Sequence, residues 1–445
     1  MRTIPHRLHP VLLAAGAIIT SALGQNAAPE KSVTCTGLAS SEFGQIYRGV
    51  YQEAIFEHRW ESRGFVDLAL DAHINDRLSV KTGIEAKMSF SHRQGSAFRA
   101  TEQKFPSVYI NQAEGIITVF PETGATPLAV HTGYMPYKYN PDVRNLGEYL
   151  FRSMTYPQVL FSEFDYAQTR LMGVRVASEL WSKRLRQDLF IMTSVDMLPL
   201  YDFSIAYVGS IRPAPFIEAG IGIDLDRVIS ANNAVTNPRI SSNSHVDPVD
   251  QADTTWYSFS GTKAMVRFCF DPKPLFPSSM FGPQDLKLYG EACALGIFAG
   301  FGSKYAWGNY PGDYEKPWQR APFMIGLNLP SFRALDVLAF EAEYYRSPYP
   351  NTYYNVMWNQ LPRPYLKPDL SPYQKDDWKW SIYASRMLFG GFSIIGQIAN
   401  DHSRVDVLRD EDAEYEETMR TSAYSPATMF NNGMWHWMMK MKYEF

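Results

Sequence analysis

Ser403 directly follows Asp401 and His402, and this trio is the nearest the chain comes to the residue set of a hydrolase. Successive residues of a strand point to opposite faces, so three strand neighbours do not converge on one substrate. A second Asp/His pair, Asp71 and His73, lies beside a tight turn, away from an outer cleft. There is no HExxH, GxSxG, Walker-type glycine loop or paired CxxC. The chain is therefore not expected to be an enzyme, and nothing calls for a cofactor or a metal.

Charge is concentrated elsewhere. The segment GYMPYKYNPDVRNLGEYLFRSMTYPQVL begins at Gly133 and carries Lys138, Asp142, Arg144, Glu148 and Arg152. Within it, residues 145 to 151 could form a short helical turn. A connection of about thirty residues inside a compact protein usually has a function. Lys81, Glu85, Arg175, Glu179 and Arg267 sit on the polar side of alternating segments. Fixed charges of both signs facing one another across water would sort solutes by charge and size. The loop's Tyr134, Tyr137, Tyr139, Tyr149 and Tyr156 could form a track for sugars or simply pack the segment against a wall.

These residues need elements to position them, and the dominant pattern after residue 60 has a period of two. Val66, Leu68, Leu70 and Ala72 alternate with Asp67, Ala69, Asp71 and His73. After the turn at 74–77, Leu78, Val80, Thr82, Ile84, Ala86 and Met88 alternate with Ser79, Lys81, Gly83, Glu85 and Lys87. That is a β-hairpin with one apolar and one charged face. Similar alternation recurs at 217–225, 263–270, 338–345 and 392–401, and in the final MWHWMMKMKYEF. There Trp435, Trp437, Met439, Met441, Tyr443 and Phe445 share one side.

Candidate strands begin near residues 45, 63, 78, 111, 126, 167, 187, 202, 215, 256, 286, 321, 335, 378, 391 and 434. The count is about sixteen, an even number, as closure of a single-chain barrel asks. Short connections fall at 74–77, 122–126, 181–186, 211–214, 330–334 and 388–391, with a longer Pro-rich turn at 271–285. Long ones fall at 91–110, 138–166, 227–255, 300–320, 346–377 and 402–433, so the two kinds land at opposite ends. A soluble β-sandwich also alternates, but strands of about 10–14 residues match what a tilted strand needs to cross a bilayer.

Residues 1–24 have the three parts of a secretory signal: Arg2, His6 and Arg7, an apolar core, and small residues at Ala22 and Gly24. The apolar core spans about 13 residues, short of the ~20 of a spanning helix. Charge is near balance, at −4, with no basic run, so no nucleic-acid partner is expected. Three cysteines, at 35, 269 and 293, exclude a disulfide scaffold; Cys269 and Cys293 could pair across neighbouring strands or remain free thiols. Aromatic residues, 14% of the chain, favour strands and membrane interfaces.

With its signal peptide, two-residue period, loop asymmetry and terminal aromatic strand, the chain resembles a bacterial outer-membrane β-barrel of the porin type over residues 25–445. The resemblance implies an all-β fold: a single transmembrane antiparallel barrel of about sixteen strands with short periplasmic turns and long extracellular loops. It implies that Tyr443 and Phe445 are read by the barrel-assembly machinery. It further implies that the loop at 138–166 folds into the lumen, with Lys138, Asp142, Arg144, Glu148 and Arg152 forming a constriction. Lys81, Glu85, Arg175, Glu179 and Arg267 would face it from the wall.

The expected function is passive diffusion of small hydrophilic solutes across the outer membrane. The expected partners are outer-membrane lipid and lipopolysaccharide, and a homotrimer is left open. No plug domain is evident in residues 25–60, against an energy-coupled transporter. The rival reading is a surface-binding or structural barrel with an occluded lumen, acting through aromatic outer loops 346–377 and 402–433. Acidic RDEDAEYEE at 409–417 could hold divalent cations near lipopolysaccharide or stay solvated.

Overall fold

The computed structural model describes residues 31–48, 59–93, 102–103, 107–119, 128–153, 168–194, 202–229, 244–246, 254–256, 261–276, 280–297, 320–345, 378–400 and 435–445. The proposed signal peptide, the 401–403 trio, the outer loops 346–377 and 402–433, and residues 154–166 lie outside these.

Sixteen strands close one antiparallel barrel. In chain order β1 is Ser32–Arg48, β2 Arg59–Asn75, β3 Leu78–Arg93, β4 Ser107–Thr118 and β5 Leu128–Tyr137. β6 is Thr169–Leu180, β7 Leu185–Ser194, β8 Phe203–Ala214, β9 Ile217–Ile229 and β10 Gly261–Phe270. β11 is Leu288–Ala294, β12 Phe323–Asn328 and β13 Val337–Tyr344. β14 is Trp378–Phe389, β15 Phe392–Asn400 and β16 Trp435–Glu444. Each strand pairs with its sequence neighbours, and β1 closes the ring on β16 from Leu38↔Glu444 to Arg48↔Trp435. Closure leaves no strand edge, so the backbone is internally hydrogen-bonded, as a lipid solvent demands.

The alternation decides which face each residue takes. Val66, Leu68, Ile84, Ile221, Val266, Phe340 and Ile398 lie exposed on the outer surface, while Asp224, Lys263, Arg267, Glu341 and Gln397 are buried inside. Rings gather at both ends of the outer surface. At the long-loop end Phe43 and Trp60 stand edge-on to Trp437, and Tyr344 lies 4.8 Å from Trp378. At the short-turn end Phe389 stacks on Phe392 and Tyr443 on Phe445.

The structure corrects the sequence reading in three places and decides between the two arrangements left open for the cysteines. β1 begins at Ser32, not near residue 45; its Ser/Thr/Gly-rich first half alternates weakly and is held by pairing with β2 on one side and β16 on the other. The turn expected at 211–214 is strand, and the chain reverses at Pro215 and Phe216 instead. Of the two arrangements left open for the cysteines, the free thiols hold: Cys269 faces Tyr289 and Cys293 faces Met265 across the β10/β11 pair. Finally, the inward face is not uniformly polar: Phe190, Met192, Ala206, Val208, Met265 and Met324 point inside and are buried.

Candidate functional site

The apolar inward patch has a cause. After β5 the chain turns inside the barrel, and residues 138–153 lie against the inner faces of β7 to β13, ending in one helical turn, α1, Tyr149–Arg152. Val143, Leu146, Tyr149, Leu150 and Phe151 of this segment join Phe190, Met192, Val208, Met265 and Tyr289 of the wall in one buried cluster. Tyr137, Phe151 and Phe190 meet edge to face, with centroids 4.7–5.8 Å apart. Apolar wall residues occur where the segment covers them, because water never reaches that surface.

The segment's backbone is a turn with few hydrogen bonds of its own; two buried wall carboxylates supply them, and a third holds a side chain. Glu341 accepts the backbone N–H groups of Arg144, Asn145 and Leu146 at 2.6, 2.9 and 2.9 Å, and the Tyr289 hydroxyl at 2.9 Å. Glu291 accepts the N–H of Glu148 and Tyr149 at 3.1 and 2.8 Å, the Tyr139 hydroxyl at 2.6 Å and the Asn140 amide at 3.0 Å. Glu343 accepts the Tyr149 hydroxyl at 2.7 Å. At the far end the Lys263 ammonium donates to the carbonyls of Leu150 and Ser153 at 3.2 and 2.9 Å, with Asp224 and Asp226 within 3.4 Å. Acids thus hold the donors and a cation holds the acceptors. Hydrogen bonds to charged groups are worth about 1.5–3 kcal/mol each, so the set fixes the segment firmly.

Tyr289 reaches Glu341 by lying across Gly326, whose missing side chain leaves room for the ring. Glu148 takes a left-handed backbone, φ 60°, a strain of about 1–3 kcal/mol for a residue with a Cβ. Its N–H on Glu291 offsets that cost.

The five loop residues expected to form a constriction take different positions. Glu148 is fully buried, its carboxylate accepting the Asn140 N–H. Burial, reinforced by the neighbouring Glu291 charge, pushes its carboxyl up to about 8. Arg152 is buried inside the segment, donating to the carbonyls of Asn145 and Gly147 at 2.9 and 3.3 Å. Asp142 pairs with Lys287 at 2.9 Å. Burial is the largest single influence and would raise its carboxyl, but the Lys287 ammonium, the Cys269 thiol and Arg144 together hold it below the ordinary range. Lys138 donates to the Val143 carbonyl at 2.8 Å. Arg144 is half-buried with its guanidinium 5.8 Å above the Tyr383 ring.

The wall residues are paired rather than free. Glu85 accepts the Tyr109 hydroxyl and Arg170 at 2.9 Å. Arg175 bonds Asp188 at 2.7 Å and lies 5.0 Å over the Tyr137 ring. Arg267 meets Glu218 at 2.5 Å, Glu179 meets Arg186 at 3.3 Å, and Lys81 meets Asp71 at 3.2 Å. Arg170 and Arg175 of β6, with Glu85 of β3 and Asp188 of β7, form a wall strip with its own charge pairs. Glu114, bonded to His131 at 2.6 Å, and the Glu42–Lys440 pair at 3.1 Å extend the charged strip around that side. Sequence reading missed Glu291, Glu341, Glu343 and Lys263 as a set. Their signal was a charged residue at every second position of otherwise apolar strands, without a hint of which loop they would meet.

Among solved structures the chain is similar to a triple mutant of Rhodopseudomonas blastica porin, at 10% identity over 93% of this chain and 100% of that one, with a TM-score of 0.42. A structure described as showing asymmetric conductivity of engineered proteins aligns at 10% identity over the same shares, with a TM-score of 0.40. A likeness this distant says nothing of activity, and the fold stands on the strand pairing itself. No protein-family model and no curated protein matches the chain.

Proposed function

We propose that the chain is an outer-membrane, porin-like channel for passive diffusion of small hydrophilic solutes, and not an enzyme. The observation that carries this reading is a closed barrel with an apolar outer band and an interior of charge pairs, narrowed on one wall by residues 138–153. The apolar exterior suits lipid, and the inward ions suit water. In this reading the path runs along the charged strip of β1 to β7 and β14 to β16. Arg144 and Lys138 are the segment's half-buried charges facing that space, while Glu148 and Arg152 hold the segment together.

A second reading keeps the barrel but closes the lumen, with function in the outer loops. The buried apolar cluster around Tyr149, and a smaller one of Val337, Ala339, Tyr383, Ile395 and Met438, favour it. Planar-bilayer recording of the folded protein separates the two. Discrete conductance steps support the channel; their absence, with folding confirmed by heat-modifiable mobility, supports the occluded barrel. Recognition of Tyr443 and Phe445 by the assembly machinery, contact with lipopolysaccharide and a homotrimer belong to the same proposal.

A further inference from the structure

Two hairpin turns at the short-turn end place large side chains where the backbone favours glycine or asparagine. Trp181, Ser182 and Lys183 have φ of 52°, 54° and 67°, and Phe332 and Arg333 have 52° and 65°. Tight hairpins prefer Asn-Gly in these left-handed positions because a Cβ is strained there. The chain can make that choice: the turn between β14 and β15 uses Gly390 and Gly391, at φ 41° and 86°. Where it does not, the result is the same in both turns, an exposed ring beside a cation. Trp181 is 66% exposed and Phe332 56%. Lys183 and Arg184 are exposed with no side-chain partner among the described residues, while Arg333 spends one nitrogen on the Phe281 carbonyl at 3.4 Å.

We infer that the Trp181–Arg184 turn binds the headgroup of an anionic phospholipid in the adjoining leaflet, with Phe332 and Arg333 repeating the device on the opposite side of the rim. An indole at the membrane–water boundary buries its ring among acyl chains while neighbouring cations meet phosphate. Charge complementarity selects an acidic lipid over a zwitterionic one, and the turn sits at the edge of the apolar outer band, where headgroups begin. The strain at Trp181 and Lys183 persists because the side chains are used. This inference rests on the membrane-barrel reading proposed above.

The test is native mass spectrometry of the full chain folded into bilayers of equal phosphatidylglycerol and phosphatidylcholine. Wild type should retain phosphatidylglycerol preferentially. Lys183→Gln with Arg184→Gln should lower that retention about fivefold per cation removed. A second variant, Trp181→Asn with Lys183→Gly, relieves the turn, so its folded state should be as stable as wild type or more so while the lipid preference falls. Equal retention of both lipids by wild type, or unchanged preference in the variants, overturns the inference with the barrel reading intact. Failure to fold into either bilayer, seen as no heat-modifiable shift, overturns the barrel reading and this inference with it.

Discussion

Gly37 and Phe445 exchange both backbone hydrogen bonds, at 2.8 and 2.9 Å, and the phenyl ring fills the space a side chain on Gly37 would need. Tyr443 stacks on the same ring at 5.9 Å. The seam between the first and last strands is therefore sealed at its short-turn end by a glycine that yields room to an aromatic.

Gly37→Val should displace the Phe445 ring and weaken closure by about 1–3 kcal/mol. Urea titration of the folded barrel in detergent would show a lowered midpoint; an unchanged midpoint would mean that the seam does not depend on this contact.

Glu341→Gln turns one acceptor oxygen into a donor facing the amides of Arg144, Asn145 and Leu146. Each oxygen accepts two bonds, so losing one oxygen removes two bonds to a charged acceptor and should loosen the inner segment, at a cost of about 1.5–3 kcal/mol per bond. Limited proteolysis should then cut within residues 140–150, where wild type resists. Equal resistance would show that the buried tyrosines and leucines hold the segment unaided.

Asp142 of the segment sits beside Cys269 of the wall, whose thiol helps to hold its carboxyl below the ordinary range. Asp142→Cys should therefore form a disulfide with Cys269 on oxidation, tying the segment to the wall. If the segment is a fixed part of the channel, conductance before and after oxidation should be the same. A change of state on cross-linking would mark it instead as a moving gate.

The Glu148 carboxyl is held up to about 8, above its ordinary 4.5. A raised folded-state value means that its contribution is complete below the ordinary value and is lost as pH rises through about 8. Hydrogen exchange at the amides of residues 144–149 should quicken between pH 5 and pH 9 beyond the intrinsic trend. Glu148→Gln should flatten that dependence; an identical slope in the variant would remove Glu148 as its source.

In the channel reading, Arg144→Glu should shift ion selectivity towards cations, since its guanidinium stands half-buried over Tyr383. Arg152→Glu should instead loosen the segment, because Arg152 bonds two of its carbonyls. Reversal potentials under a salt gradient distinguish the two, and the same shift from both variants would contradict these separate roles.

The period-two pattern determined the strands and their two faces from the amino-acid sequence, and strand length, an even count and the alternation of short and long connections pointed to a barrel. Val66, Ile84, Val266 and Met441 stand outward and Lys81, Arg267, Glu341 and Lys440 inward because alternation needs no partner to be read. The weakly patterned first half of β1 was illegible, since Ser, Thr and Gly mark neither face and only pairing with β2 and β16 places them.

The site itself was legible in part. The segment 138–166 announced itself by length and charge, but its charges gave no sign of which would be consumed in packing. Glu148 and Arg152 look like Arg144 in sequence; three-dimensional contact buries the first two and leaves the third half-open. Glu291, Glu341 and Glu343 lie about 140–200 residues from the amides and hydroxyls they bind, a separation no local pattern records. Strand identity and facing follow from neighbours along the chain. Which wall a loop docks on depends on the closed ring bringing distant strands within hydrogen-bond reach, and that only the tertiary structure decided.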